Sequence, residues 1–193
     1  MKRLKSLALI SLMLLLGPTA AQGQSELDRL FEKIKTVVED AEPGWRCTRG
    51  EPFGAPTTSP NLLIMGCALE AQARLTRRAT HTVEIRHVAI SVAPLQSAEE
   101  ARRFLHNFVN ERPNEVREIR DLKDEAYGWG MDNANIVLIN SRFKVFISTV
   151  AHVEFDADAK ALTLDQKNER KKSERLKLTH DFAKHALAAL DSF

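Results

Sequence analysis

The sequence predicts an α+β fold: a single domain with an antiparallel sheet and helices packed on one face. Three observations carry this. Helical stripes lie at the start, middle and end of the chain, and β-branched runs fill the spaces between them. The connections between those runs are short and hairpin-like. No internal repeat or linker divides the 193 residues, 44% of which are hydrophobic, enough for one core.

The first helix is expected over residues 25–40. Leu27, Leu30, Phe31, Ile34, Val37, Val38 and Ala41 recur at three- and four-residue spacing and make one apolar stripe. Ser25 with Asp28 resembles a capping box, and Pro43-Gly44 ends the run. A short strand follows over residues 45–48. Residues 62–69 (LLIMGCAL) read as a buried strand, although periodicity leaves a helix open. Residues 68–80, crowded by Arg74, Arg77 and Arg78, fit a helix or a hairpin connection equally.

Residues 81–92 alternate as a strand. His81, Val83, Ile85 and His87 share one face, and Thr82, Glu84, Arg86 and Val88 the other. Ser97-Ala-Glu-Glu100 is a capping box for a helix whose expected buried stripe is Ala101, Phe104, Leu105, Phe108 and Val109. Arg112-Pro113-Asn114 stops it. Residues 116–122 alternate like an edge strand. Residues 136–139 and 143–150 form a hairpin signal through Asn140-Ser141-Arg142. From Ser173, a final stripe runs through Leu176, Thr179, Phe182, Ala183, Ala186, Leu187 and Leu190.

Residues 1–23 are expected to be a signal peptide rather than part of the fold. Lys2, Arg3 and Lys5 precede an apolar run from Leu7 to Leu16, then Gly17-Pro18 and the small residues that follow. Cleavage fits after Ala21 or after Gly23. The alternative is a membrane anchor, but the run is about half of the roughly 20 residues a spanning helix needs. Residues 24–193 are then the exported domain, periplasmic or extracellular, with no transmembrane segment. Removing the three leader cations leaves 25 basic against 26 acidic side chains. Such a balance gives no global field for nucleic acid.

Cys47 and Cys67 are the only cysteines. In an oxidising compartment the economical reading is one disulfide closing a Pro- and Gly-rich loop. Free thiols or half of a metal site are the rivals.

The motifs of catalysis and metal binding do not occur. His81 and His87 share a strand face but lie about 20 Å apart at the usual rise. His180 and His185 are five residues apart and point to different helix faces. Asp156-Ala-Asp158 opens like a calcium loop, yet Lys160, Ala161 and Lys167 stand where ligands and a glycine belong. No Gly-x-Ser-x-Gly, His-Glu-x-x-His or Gly-Lys-Ser/Thr is present. No catalytic residue, metal ligand or cofactor is therefore assigned. Lys160 to Lys177 reads as a solvated helix laced with i, i+4 pairs, or as contact with an acidic partner or surface.

The distinctive segment is Asp124-Glu-Ala-Tyr-Gly-Trp-Gly-Met-Asp-Asn-Ala-Asn135. Tyr127 and Trp129 alternate with glycines. They fit a ligand- or partner-contacting surface, or a strand whose aromatics cap the core while Gly128 and Gly130 admit a close neighbour. Leu122-Lys-Asp-Glu-Ala-Tyr-Gly-Trp, followed by the hairpin and a C-terminal helix, resembles small exported bacterial α+β domains, some similar to the PsbP/Mog1-type fold. Lys123 stands where those domains usually carry glycine. The resemblance covers about a third of the chain. It implies the fold class and assigns no catalytic residue.

The function expected is an exported, non-enzymatic domain that binds an envelope protein or a small ligand, with Tyr127 and Trp129 as contacts. The alternative is an envelope hydrolase using His81 or His87 with Glu84 or Asp124.

Overall fold

A computed structural model describes residues 19–50, 62–69, 85–122, 125–130, 134–140, 145–154 and 162–193. The expectations for the leader up to residue 18, the Pro-rich loop over 51–61, residues 70–84, the 141–144 turn and the 156–158 pair lie outside the described residues.

Among the described residues the elements run α1 (Thr19–Ala41), β1 (Trp45–Arg49), β2 (Leu63–Leu69), β3 (Ile85–Pro94), α2 (Ala98–Asn110), β4 (Val116–Ile119), β5 (Ala126–Trp129), β6 (Asn135–Asn140), β7 (Val145–Glu154) and α3 (Leu164–Asp191). The seven strands form one sheet in the order β1-β2-β3-β7-β6-β5-β4, and every pairing is antiparallel. The sheet is thus two meanders, β1–β3 and β4–β7, joined at their inner strands. The joint is the longest ladder, from Ile85↔Glu154 to Pro94↔Val145. The α+β class and the antiparallel sheet are as the patterning predicts. Residues 63–69, left open between strand and helix, are a strand.

Period-two alternation sorts the strands onto two faces. One face presents Trp45, Cys47, Leu63, Met65, Cys67, Val88, Ile90, Val92, Ile136, Leu138, Ile147, Ala151 and Val153 to α1 and α3. Ile34 and Val38 of α1 and Phe182, Ala183 and Ala186 of α3 close this core, each with no exposed surface. Phe182 meets Trp45 edge-on with ring centroids 4.8 Å apart. Small residues on α3 let α1 lie beside it, and His185 Nε2 on α3 sits 3.1 Å from Glu42 Oε1 after α1.

The layering differs from expectation in one helix. α2 packs on the opposite face, where Ala101 and Leu105 meet Val137 and Ile139. Consecutive β6 residues therefore serve different cores, and all six are buried. An unbroken apolar run of this kind is the mark of a strand covered on both faces. Phe104, placed in the buried stripe by spacing, is 49% exposed, because Ala101 and Leu105 take the contact and Phe104 falls on the flank.

Helix ends follow local chemistry, with one correction. α1 starts at Thr19, so Ser25 lies inside the helix rather than capping it. Asp28 instead receives the Arg49 guanidinium of β1. Residues 19–24 are rich in Ala and Gln, good helix formers that continue the helix upstream of the apolar stripe. Gly44, at φ +87°, makes the turn into β1 where Pro43-Gly44 predicts a stop. Ser97 caps α2 by accepting the Glu100 N–H at 3.0 Å, while the Glu100 carboxylate accepts from Gln96 rather than from Ser97. Thr163 and Gln166 form a full capping box on α3.

Candidate functional site

Cys47 and Cys67 are bonded as a disulfide. They face each other in the β1–β2 register, with Cα atoms 4.1 Å apart. β1 is an edge strand, and the outward N–H of Cys47 donates to Glu39 Oε1 of α1 at 2.9 Å. The edge is thus pinned by a covalent bond on one side and occupied by a carboxylate on the other. No free cysteine remains.

Tyr127 and Trp129 share a face of β5, and Gly128 is buried on the other. Both aromatics are half-buried against the α2 core. Trp129 meets Phe108 edge-on with centroids 5.5 Å apart, and the Arg112 guanidinium lies 4.2 Å over the Phe108 ring. The Tyr127 hydroxyl donates to Glu125 Oε1 at 3.3 Å, the oxygen that also lies 2.9 Å from His106 Nε2. Burial, then the Glu125 charge, raises the Tyr127 pKa, so the phenol keeps its proton. Asp124 lies outside the described residues, as do His81 and Glu84, the other groups weighed with His87 for a hydrolytic site. His87, the fourth, is half-buried on the sheet face away from α1 and α3.

The concavity of interest lies elsewhere. A groove of about 390 Å³ runs between α3 and the β4–β6 side of the sheet. Ile119, Ile136 and Leu176 give it apolar walls, and Asp121, Lys177, His180 and Asp181 supply its polar rim. β4 ends at Ile119, which lets the chain carry Asp121 across toward α3. There Asp121 Oδ2 stands 2.7 Å from His180 Nε2, and Lys184 Nζ is 3.9 Å from the same oxygen. The His180 hydrogen bond, the largest cause, holds the Asp121 carboxyl below its ordinary pKa. Lys177 donates to Asp181 at 2.6 Å, and that bond raises its pKa. Thr179 is fully buried, with its hydroxyl 2.7 Å from the Ala134 carbonyl, a contact that ties α3 to the start of β6.

Spacing within single elements could not find this groove, because its walls come from three elements remote in sequence. One signal was present. Leu176 opens the final apolar stripe, yet it is 37% exposed while Leu178, Phe182 and the residues beyond are buried. A stripe residue without cover marks the mouth of the groove.

Among the described residues, no group of three His, Cys, Asp or Glu is placed to hold a metal. No helix there is long and apolar enough to cross a membrane. Comparison with known families, with curated proteins and with solved structures finds no match.

Proposed function

We propose that the chain is an exported, non-enzymatic binding domain of the bacterial cell envelope. It holds a small ligand, or a partner's side chain, with an apolar body and a polar end. The observation that carries this reading is the groove: apolar walls, a rim of convergent charges, and a volume within the about 300–1,000 Å³ usual for small-molecule sites. Export is supported by the Lys/Arg-opened leader and by the disulfide, a bond that persists in oxidising compartments. Removal of residues 1–21 or 1–23 trims the first residues of α1 and spares Leu27, the first residue of that helix in the core. Tyr127 and Trp129, both half-buried, form a second proposed contact.

The test is native mass spectrometry of the protein purified from its exported fraction. The expected mass is that of a chain cut after Ala21 or Gly23, with the disulfide intact and a bound passenger. Leu176→Arg should expel the passenger while the fold, followed by circular dichroism, persists. A clean mass for the wild-type protein, or a passenger that survives Leu176→Arg, overturns the groove reading.

The Asp121–His180 pair favours a second reading, a hydrolase. A carboxylate orienting an imidazole at a cleft is the base half of a water-activating site. Turnover of ester substrates abolished by His180→Gln would establish it. Ligand binding that survives this substitution without turnover favours the binding domain.

A further inference from the structure

The sheet pairs two histidines that no motif connects. His87 on β3 and His152 on β7 are direct register partners in the central ladder. Both project from the face away from α1 and α3, since their neighbours Val88, Ala151 and Val153 point into the core on the other side. Side chains at directly opposed positions of an antiparallel pair have Cβ atoms about 4.5–5.5 Å apart. Two imidazoles at that separation can close on one ion.

The surroundings suit an ion. The position across from His87 on its other side is Ala68, too small to cover the rings. His152 is 46% exposed, which gives a metal access from solvent. Glu154 stands two residues along the same face, with Oε1 3.9 Å from His152 Nε2, while its other oxygen accepts from Lys171 at 2.6 Å. It supplies negative charge beside the site.

We propose that His87 and His152 form a two-imidazole chelate for a borderline divalent cation on the sheet face opposite α1 and α3. With two protein ligands, water completes the coordination. Imidazole donors suit copper, nickel and zinc, and Cu²⁺ stands highest in the affinity order, so it is the ion to use as probe. The ligating form is the neutral ring. Sequence reading missed the pair because it compared histidines within one element, whereas these meet through strand order.

The disulfide-intact protein, titrated with Cu²⁺ at pH 7.5, should bind one ion per chain, with two imidazole nitrogens in the electron paramagnetic resonance spectrum. His152→Ala, at an exposed position, should weaken this binding at least tenfold and remove one nitrogen. His106→Ala, on α2, should change neither. If His152→Ala binds Cu²⁺ as the wild type does, or the wild-type spectrum shows no pair of imidazoles, the proposal is overturned. Should His152→Ala lose the fold by circular dichroism, His152→Gln serves as the same test, and unchanged Cu²⁺ binding there overturns the proposal equally.

Discussion

His87 makes a residue-level statement about pH. Burial and His152 disfavour its proton in the folded state, so its folded pKa lies below the unfolded value of about 6.5. Stability from this source is present above that value and is lost as pH falls through the lowered folded value. His87→Gln should therefore lose less thermal stability than wild type between pH 7.5 and pH 5, a difference that melting curves at the two pH values would read. An equal loss would remove His87 as the cause. Gly130 is constrained in another way. It ends β5 at φ +76°, and a Cβ there would come within 2.6 Å of the Asn135 side chain. Gly130→Ala should cost about 1 kcal/mol or more in denaturant unfolding. Some residue-scale features were readable from sequence alone. Tyr127 and Trp129 alternate with glycines because one side of β5 meets α2 and the other is buried near the main core. The His87–His152 and Asp121–His180 pairs were not readable, since each depends on strand order or on the path of the chain after β4.

At the scale of elements, α2 is the most self-contained test. Ser97 satisfies an N–H of its first turn, so Ser97→Ala should cost about 1 kcal/mol. Leu105 is fully buried against Val137 and Ile139, and Leu105→Ala should cost about 2–5 kcal/mol. The ratio of those losses, read from one set of urea curves, tells whether α2 is held by its cap or by its packing. Packing should dominate. Helix positions were legible because their stripes recur over several turns. The face that α2 would choose was less so, because an apolar stripe reports that a helix is covered without saying by which side of a sheet. The clue lay in β6, where Ile136-Val-Leu-Ile139 shows no alternation. A strand with two apolar faces requires a layer on each side. The start of α1 was obscured differently, since Ser25 and Asp28 imitate a cap within a run of helix formers.

For the whole molecule, the disulfide is the main covalent constraint. It joins residues 20 positions apart and fixes the edge strand β1 to β2. Converting both Cys47 and Cys67 to serine should lower stability by about 3 kcal/mol, mainly through the greater freedom of the unfolded chain. The measurement is the shift in urea midpoint relative to the intact protein, and an unchanged midpoint would show that the Glu39 contact and α1 hold β1 unaided. The fold class was legible at this scale from hairpin-like connections and three helical stripes. The joining of two meanders at β3 and β7 was not, because no local signal records a pairing between strands so far apart in the chain.

That joint also sets when the molecule can exist. α3, made after both meanders, covers β3, β6 and β7 and packs along α1, so it closes the main core over both halves of the sheet. Until it emerges, the first meander and α1 have only part of a core to bury, and the β3–β7 ladder lacks its cover. A chain ending after Glu154 should consequently stay open and sensitive to protease. Under the exported-domain reading proposed above, a closing piece made after both meanders acts as a timer: the chain stays threadable until α3 emerges.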